Sequence, residues 1–305
     1  MKKFDGFADS VPKHYEACGI RHWSPAKINK PFWYVLCEYG YRQPRYWKAK
    51  HESDQGDAEA DLLVAHYTLP RVIKMIAGSV AADAAFEILN GKSRRDAVEN
   101  ALSILRKHTP HPFNERDVKT TKHLLDDNGQ LVEQTIENVL DALRIAFAGA
   151  NSVETEERHT IELPGVDVPV LGFSDGRGAG VIAEVKTKWD TIDGRSKTGF
   201  KNNSVPSRPA AADILQLAVY QRATGGVAKL IYANRKNHVI FPLDQDVLDE
   251  AIDIATAICK KRQRIMERCG EFDAVVDCVE PDWGHYLLSD WSAELKQEIK
   301  SVFSV

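Results

Sequence analysis

Residues 168–188, VPVLGFSDGRGAGVIAEVKTK, constrain this chain more than any other stretch. Two β-rich runs flank a glycine-rich turn, with an acid, Asp175, at the turn and Glu184-Val185-Lys186 in the second run. Before this stretch the apolar spacing is helical, and around residue 150 it switches to the period of a strand. The chain must therefore join a largely helical first half to a sheet.

The helical half reads clearly. Val80, Ala84 and Ile88 recur four apart, Asn90-Gly91 ends that helix, and RRDAVENALSIL begins the next. Residues 108–117, HTPHPFNERD, are expected to be a loop, because two prolines exclude regular structure. Residues 130–150 are expected to form a long amphipathic helix. HTIEL, VPVLGFSD and VIAEVKTKW then read as short strands, 189–209 as a polar loop, and 210–224 as a helix. Residues 230–243 read as two strands around an Asn-Arg-Lys-Asn turn. A long helix follows, capped by Asp244 and stopped by Gly270, and a shorter one at 291–303 closes the chain. The expectation is one domain over 1–305: a mainly helical part (1–150), a sheet with its helix (151–245), and C-terminal helices (246–305).

With 28% charged residues and a net charge of −4, the chain reads as globular. No apolar run approaches a membrane span, and MKKFDGFADS lacks the core of a signal peptide, so a cytoplasmic location is expected. Cysteines at 18, 37, 259, 269 and 278 form no CxxC pair, which points to reduced thiols and against a zinc knuckle.

Alternate residues of a strand share a face, so Ile182, Glu184 and Lys186 point one way and Val181, Ala183 and Val185 the other. Taken alone, Glu184 and Lys186 make an ordinary solvated pair, and Asp175-Gly176 is an ordinary turn dipeptide. Together they meet the needs of phosphodiester hydrolysis. Carboxylates hold Mg²⁺ through oxygen, the ion polarises the phosphoryl group and acidifies a water, and a lysine stabilises phosphorane charge. Asp175 ends one strand and Glu184 lies on its expected hairpin partner, close enough to share a coordination sphere with the Val185 carbonyl. On the next helix Gln216 and Tyr220 share a face, with Asp213 one turn earlier. A Gln there can orient water or phosphate, and a Tyr can hydrogen-bond phosphate.

Asp175, Glu184-Val185-Lys186 and Gln216-Leu-Ala-Val-Tyr220 resemble the PD-(D/E)XK nuclease superfamily, in its RecB-like branch with the QxxxY helix. HWSPAKINKPFWYVLCEYGY resembles the Ser-Pro opening helix of such nucleases, and AGSVAADAAFEILNGKS the helix before the core sheet. The resemblance spans roughly residues 22–242. It implies an α/β fold with a restriction-endonuclease-like core, a mixed central β-sheet flanked by helices. It also implies Asp175 and Glu184 as ligands of one or two Mg²⁺ or Mn²⁺ ions, Lys186 as the catalytic lysine, and Gln216 with Tyr220 as positioning residues. The implied function is a DNA nuclease. An exonuclease of recombination, repair or phage DNA processing is favoured, acting on ends of single- or double-stranded DNA in a bacterial or phage-infected cytosol. A recombination or strand-annealing partner belongs to that picture. A structure-specific endonuclease and a catalytically silent DNA-binding module are the alternatives.

The pattern departs from the family in two places. Many relatives carry a histidine ligand four residues after the glycine of the early helix, where this chain has Ala82; Asp83 or Glu87 would have to substitute. Some relatives hold an iron–sulfur cluster with four cysteines, but Cys259, Cys269 and Cys278 lack the close spacing, so no cluster is expected.

Further candidates surround the motif. Residues 20–50 carry Arg21, Lys27, Lys30, Arg42, Arg45, Lys48 and Lys50 against the single acid Glu38, interleaved with Trp23, Phe32, Trp33, Tyr34, Tyr39, Tyr41, Tyr46 and Trp47. Cations neutralise phosphates and aromatics stack on bases, so Arg21, Lys27 and Lys30 are expected DNA contacts, with Phe32, Val35 and Leu36 buried. Lys188, Arg195, Lys197 and Lys201 give the loop after the lysine a second basic run. His108 and His111 lack further zinc ligands, and Gly176-x-Gly178-x-Gly180 precedes a strand and not a helix, so neither is read as a site.

Overall fold

The computed structural model describes residues 11–69, 72–110, 114–289 and 291–303. It opens with helices α1 (Lys13–Ala17), α2 (Pro25–Ile28), α3 (Phe32–Val35), α4 (Gln43–Ser53), α5 (Ala58–Tyr67), α6 (Ile73–Leu89), α7 (Arg94–Arg106), α8 (Glu115–Leu125) and α9 (Gln130–Ala146). Strands β1 (Glu157–Ile161), β2 (Val170–Ser174), β3 (Gly176–Gly178), β4 (Val181–Thr187), β5 (Thr191–Ile192) and β6 (Phe200–Lys201) follow. Then come α10 (Ala211–Thr224), β7 (Val227–Ala233), β8 (His238–Leu243), α11 (Gln245–Cys269), α12 (Phe272–Val276) and α13 (Ala293–Val302). The architecture is mixed α/β, with a helical N-terminal part and a mixed central sheet flanked by helices, as expected.

Contacts group the chain into two units: Met1–Leu69 with Thr160–Leu171 and Asp253–Val305, and Pro70–His159 with Gly172–Ile252. The second unit holds the sheet, ordered β3-β4-β7-β8. β4 runs parallel to β7, with Glu184 opposite Leu230 and Lys186 opposite Tyr232. β3 and β8 are antiparallel additions. Ala183, Val185, Ile231 and Ala233 share a buried cluster with the alanine-rich face of α6 and with Val132, Ile136, Val139 and Leu143 of α9. Small side chains let α6 lie close to the sheet: a Cβ on Gly78 would sit 3.0 Å from Thr187 Oγ1. The opposite face of β4 is covered by α10.

The glycine-rich turn folds differently from the expected hairpin. β2 pairs with β1, and only the short β3 pairs with β4. Ala179 (φ 49°) and Gly180 (φ 72°) are both left-handed, which makes the connection a tight two-residue turn. Asp175 falls at the break between β2 and β3. The glycines serve packing: a Cβ on Gly176 would meet the Phe86 ring at 2.5 Å, and one on Gly178 the Ser152 carbonyl at 2.8 Å.

Two loops carry more structure than the sequence suggested. α8 begins inside the expected loop because Asn114 caps it, accepting from the Asp117 N–H at 3.0 Å. Asp117 in turn accepts from the Ile73 N–H at 2.7 Å and pairs with His108 Nε2 at 2.8 Å. His108 thus has a structural partner; His111, like the first ten residues, lies outside the described residues. Within 189–209, β5 and β6 form a small antiparallel ladder. Phe200 stacks on His123 with ring centroids 3.8 Å apart, and Asp190 holds His123 at 3.1 Å and Arg235 at 3.2 Å.

In the first unit Ser24 caps α2 and Pro25 opens it, as the sequence suggested. The helix is only one turn long, and Arg262 terminates it by donating to the carbonyls of Lys27, Ile28 and Lys30 at 3.0, 3.2 and 2.5 Å. Residues Leu36–Arg42 form a π-helical turn, in which Arg42 pairs with Glu38 and donates to the Tyr67 carbonyl. Val35 and Leu36 are buried and Phe32 is half-buried. Cys269 and Cys278 have Sγ atoms 3.4 Å apart, a spatial pair that their sequence spacing conceals. Among the described residues no helix is long and apolar enough to cross a membrane.

Arg262 is the clearest stability test of this unit. Arg262→Met keeps the apolar volume between Trp23 and Phe32 but removes a donor from three carbonyls, and should cost about 3 kcal/mol in urea denaturation.

Candidate active site

β4 places Glu184 and Lys186 two residues apart on the face turned to α10. Glu184 is 2% exposed, which excludes the solvated-pair reading. Lys186 Nζ donates to Glu184 Oε1 at 2.7 Å and to Gln216 Oε1 at 2.9 Å. Gln216 Nε2 donates to Tyr220 Oη at 3.0 Å. The glutamine and tyrosine of the helix therefore reach the strand pair as a single chain of hydrogen bonds. Tyr220 is buried, and its ring lies so close to β2 that a Cβ on Gly172 would come within 2.5 Å of it. His159 lies beside it, ring centroids 5.5 Å apart, with Nε2 2.8 Å from Ser174 Oγ.

Asp175 reaches the same place from the β2–β3 break. Its Oδ2 accepts from the Val185 N–H at 2.7 Å. A strand residue projects its N–H and C=O to the same edge, so the Val185 carbonyl also faces the Asp175 side. Glu184 Oε2 is buried without a hydrogen-bond partner among the described residues.

The electrostatics follow from this packing. Burial pushes the Glu184 carboxyl up to about 8, and the neighbouring Asp175 charge adds to the shift. Asp175 is also raised by burial, against the lowering effect of the Val185 N–H and Lys186. Burial opposes the Lys186 charge, yet Glu184, Asp175 and Asp213 together outweigh it and raise its pKa. Burial, aided by the Glu184 charge, raises the Tyr220 hydroxyl as well. A buried carboxyl oxygen without a donor is one that a cation could satisfy. Asp175, Glu184 Oε2 and the Val185 carbonyl offer the hard oxygen donors that Mg²⁺ or Mn²⁺ takes.

Of the two substitutes for the absent histidine, Asp83 stands near the site. Desolvation and the charges of Glu156, Asp175 and Glu87 raise it to about 6. Glu87 is instead bound to Lys92 at 2.8 Å. Ala82 packs in the core of the unit. Asp83, Glu87 and Glu156 line an open cleft of about 510 Å³ between α6, α7 and the approach to β1. Glu156 escaped the sequence reading: it precedes β1 with no motif around it, and only its left-handed backbone (φ 52°) marks it. Asp213, noted only for its spacing, accepts from Tyr232 Oη at 2.6 Å.

The expected DNA contacts divide. Arg195, Lys197 and Lys201 are exposed on the β5–β6 segment, and Arg21 is exposed in the other unit. Lys188 is half-buried, 5.2 Å from the centroid of the Tyr232 ring. Lys30 is half-buried and its pKa is lowered by burial. Lys27 departs from expectation. It is buried, donates to the His22 carbonyl at 3.3 Å and lies over the Tyr39 ring, because the one-turn helix α2 points it inward.

No protein-family model matches the chain, and no curated protein does. Among solved structures the chain is similar to one described as "Putative exonuclease" from Eubacterium rectale, at 20% identity over 65% of this chain and 75% of that one, TM-score 0.34. It is also similar to the structure of SSO0001, at 14% identity over 70% and 84% respectively, TM-score 0.25. At these scores neither likeness carries a residue's role across.

Glu184 gives the site a pH signature. In metal-free protein its raised pKa favours the fold below the usual carboxylate range, and that contribution is lost as pH rises through about 8. The melting temperature of Glu184→Gln relative to wild type should therefore climb between pH 5 and pH 9 in EDTA. A difference that stays constant with pH would contradict the assignment.

Proposed function

We propose that the chain is a divalent-metal-dependent DNA nuclease, hydrolysing phosphodiester bonds at the Asp175–Glu184–Lys186 site. The observation that carries this reading is the buried, unpartnered Glu184 Oε2, on a strand face shared with a lysine and beside a second carboxyl. Most buried polar atoms in a fold find a partner, so a carboxyl oxygen without one beside a second carboxyl calls for a ligand. Asp175, Glu184 and the Val185 carbonyl would hold Mg²⁺ or Mn²⁺. When bound, such an ion supplies Lewis-acid activation of the phosphoryl group and of water.

The chain's own residues do the rest. Lys186, kept cationic by the carboxylates around it, places positive charge where a pentacovalent phosphate develops negative charge. Gln216 fixes the direction of the ammonium by accepting one of its protons. Tyr220 fixes Gln216 in turn, so both act as positioning residues. The β5–β6 segment, which lies between β4 and α10 in the chain, carries Arg195, Lys197 and Lys201 as exposed cations. These side chains suit the phosphates flanking the scissile one. On the sequence resemblance we favour an exonuclease of recombination, repair or phage DNA processing over a structure-specific endonuclease.

Purified protein should degrade end-labelled linear DNA with Mg²⁺ or Mn²⁺ and not with EDTA. Lys186→Ala should lose about 10²–10³-fold in rate while remaining folded by circular dichroism. Unimpaired cleavage by Lys186→Ala or Glu184→Ala would overturn the site. Covalently closed circular DNA should survive an exonuclease, and its cutting would favour the endonuclease reading.

A further inference from the structure

Far from one another in sequence, three metal-ligating side chains of the first unit meet in space. His14 of α1, Asp167 of the β1–β2 connection and Glu267 of α11 each offer one ligand atom, and these atoms all lie within 4.8 Å of one another. The histidine is what sets the cluster apart from a group of surface acids. Its side chain is 18% exposed, and its Nε2 is buried with no hydrogen-bond partner among the described residues. Asp167 Oδ2 stands 3.9 Å from that nitrogen, too far for a hydrogen bond. Buried polar atoms normally find a partner, and this one faces acceptors it does not reach.

The three ligand-bearing segments are braced by one residue. Gln263, 8% exposed, accepts at Oε1 from the Tyr15 hydroxyl at 2.9 Å and from the Asp167 N–H at 3.0 Å. Its Nε2 donates to Glu267 Oε1 at 2.8 Å. A single buried amide thus ties α1, the β1–β2 connection and α11 together behind the cluster, as outer hydrogen bonds do for metal ligands. An imidazole nitrogen with two carboxylate oxygens suits Zn²⁺, whereas Mg²⁺ prefers oxygen alone. Ligands about 2.1 Å from a tetrahedral ion stand about 3.4 Å apart, so the set must close by about an ångström. Asp167 and Glu267 are exposed and have room to make that movement. Three protein ligands leave the fourth position to water.

We propose that His14, Asp167 and Glu267 hold a divalent transition ion, with Zn²⁺ the best match, as a clamp joining α1 and the β1–β2 connection to α11. The site is distinct from the Asp175–Glu184 carboxyls and does not rest on the nuclease reading. Metal-stripped full-length protein would be titrated with ZnCl₂ in saturating Mg²⁺, and bound zinc read by equilibrium dialysis with elemental analysis. Wild type should bind a single zinc and melt at a higher temperature with it than without. His14→Ala, Asp167→Asn and Glu267→Gln should each lose about tenfold or more in zinc affinity, and their melting temperatures should no longer respond to it. Asp167→Asn and Glu267→Gln alter exposed side chains, so they carry the test should His14→Ala fail to fold.

Two controls separate this site from the other places zinc could go. Glu184→Gln removes a carboxyl of the candidate active site, and Cys278→Ser removes the exposed thiol of the Cys269–Cys278 pair. Both should bind zinc as wild type does. Wild type that binds no zinc would overturn the proposal. So would undiminished binding in Asp167→Asn and Glu267→Gln, or binding lost in Glu184→Gln or Cys278→Ser.

Discussion

The ion pair of Glu184 and Lys186 is buried on an inner strand, and much of the second unit answers to that fact. β4 is covered on both faces, by α6 and α9 on one side and α10 on the other. Withdrawing two charges from water costs several kcal/mol per ion, and their mutual attraction offsets this only if the remaining donors and acceptors are also met. Lys186 needs a second acceptor, so Gln216 must face the strand. Gln216 needs an acceptor for its own amide, so Tyr220 must lie one turn further on. Tyr220 then presses its ring against β2, where only a residue without a Cβ fits, and Gly172 is found there. One pair of charges thereby sets the rotation of a helix and the identity of a residue on another strand.

The pair is also unbalanced. Glu184, Asp175 and Asp213 all act on a single lysine, and desolvation drives the first two toward protonation. A fold selected for stability alone would not keep a buried carboxyl raised to about 8 with one oxygen unpaired. On the proposed reading, a cation in place of the carboxyl proton would relieve this arrangement, because a bound ion inverts the local pKa logic.

Much of this was legible because Glu184 and Lys186 stand two apart in a strand and Gln216 and Tyr220 four apart in a helix. Alternation placed Glu184 and Lys186 on one face; it could not say whether that face was wet, since burial depends on where α10 packs. The glycine-rich turn misled for a related reason. Glycines at 176, 178 and 180 are compatible with a hairpin beginning at β2, but contacts with Phe86 and Ser152, distant in sequence, decided that only Gly176–Gly178 pairs with β4. Tertiary contact likewise turned Lys27 inward and brought Cys269 to Cys278. Glu156 left no sequence signal, because a left-handed backbone at a non-glycine residue has no composition cue.

The break at Asp175 is the less obvious half of the site. Extending the β3–β4 register, in which Gly176 faces Ala183, would set Ser174 opposite Val185. Ser174 instead belongs to β2, which pairs with β1. The Val185 N–H, left without a backbone acceptor, is taken by the Asp175 side chain. A carboxylate oxygen thus completes the ladder where a backbone carbonyl would otherwise stand. Had β2 continued along β4, the backbone would have satisfied Val185 and neither the aspartate nor the Val185 carbonyl would have been released. The strand switch is therefore what brings the aspartate to the Val185 backbone, next to Glu184 on β4.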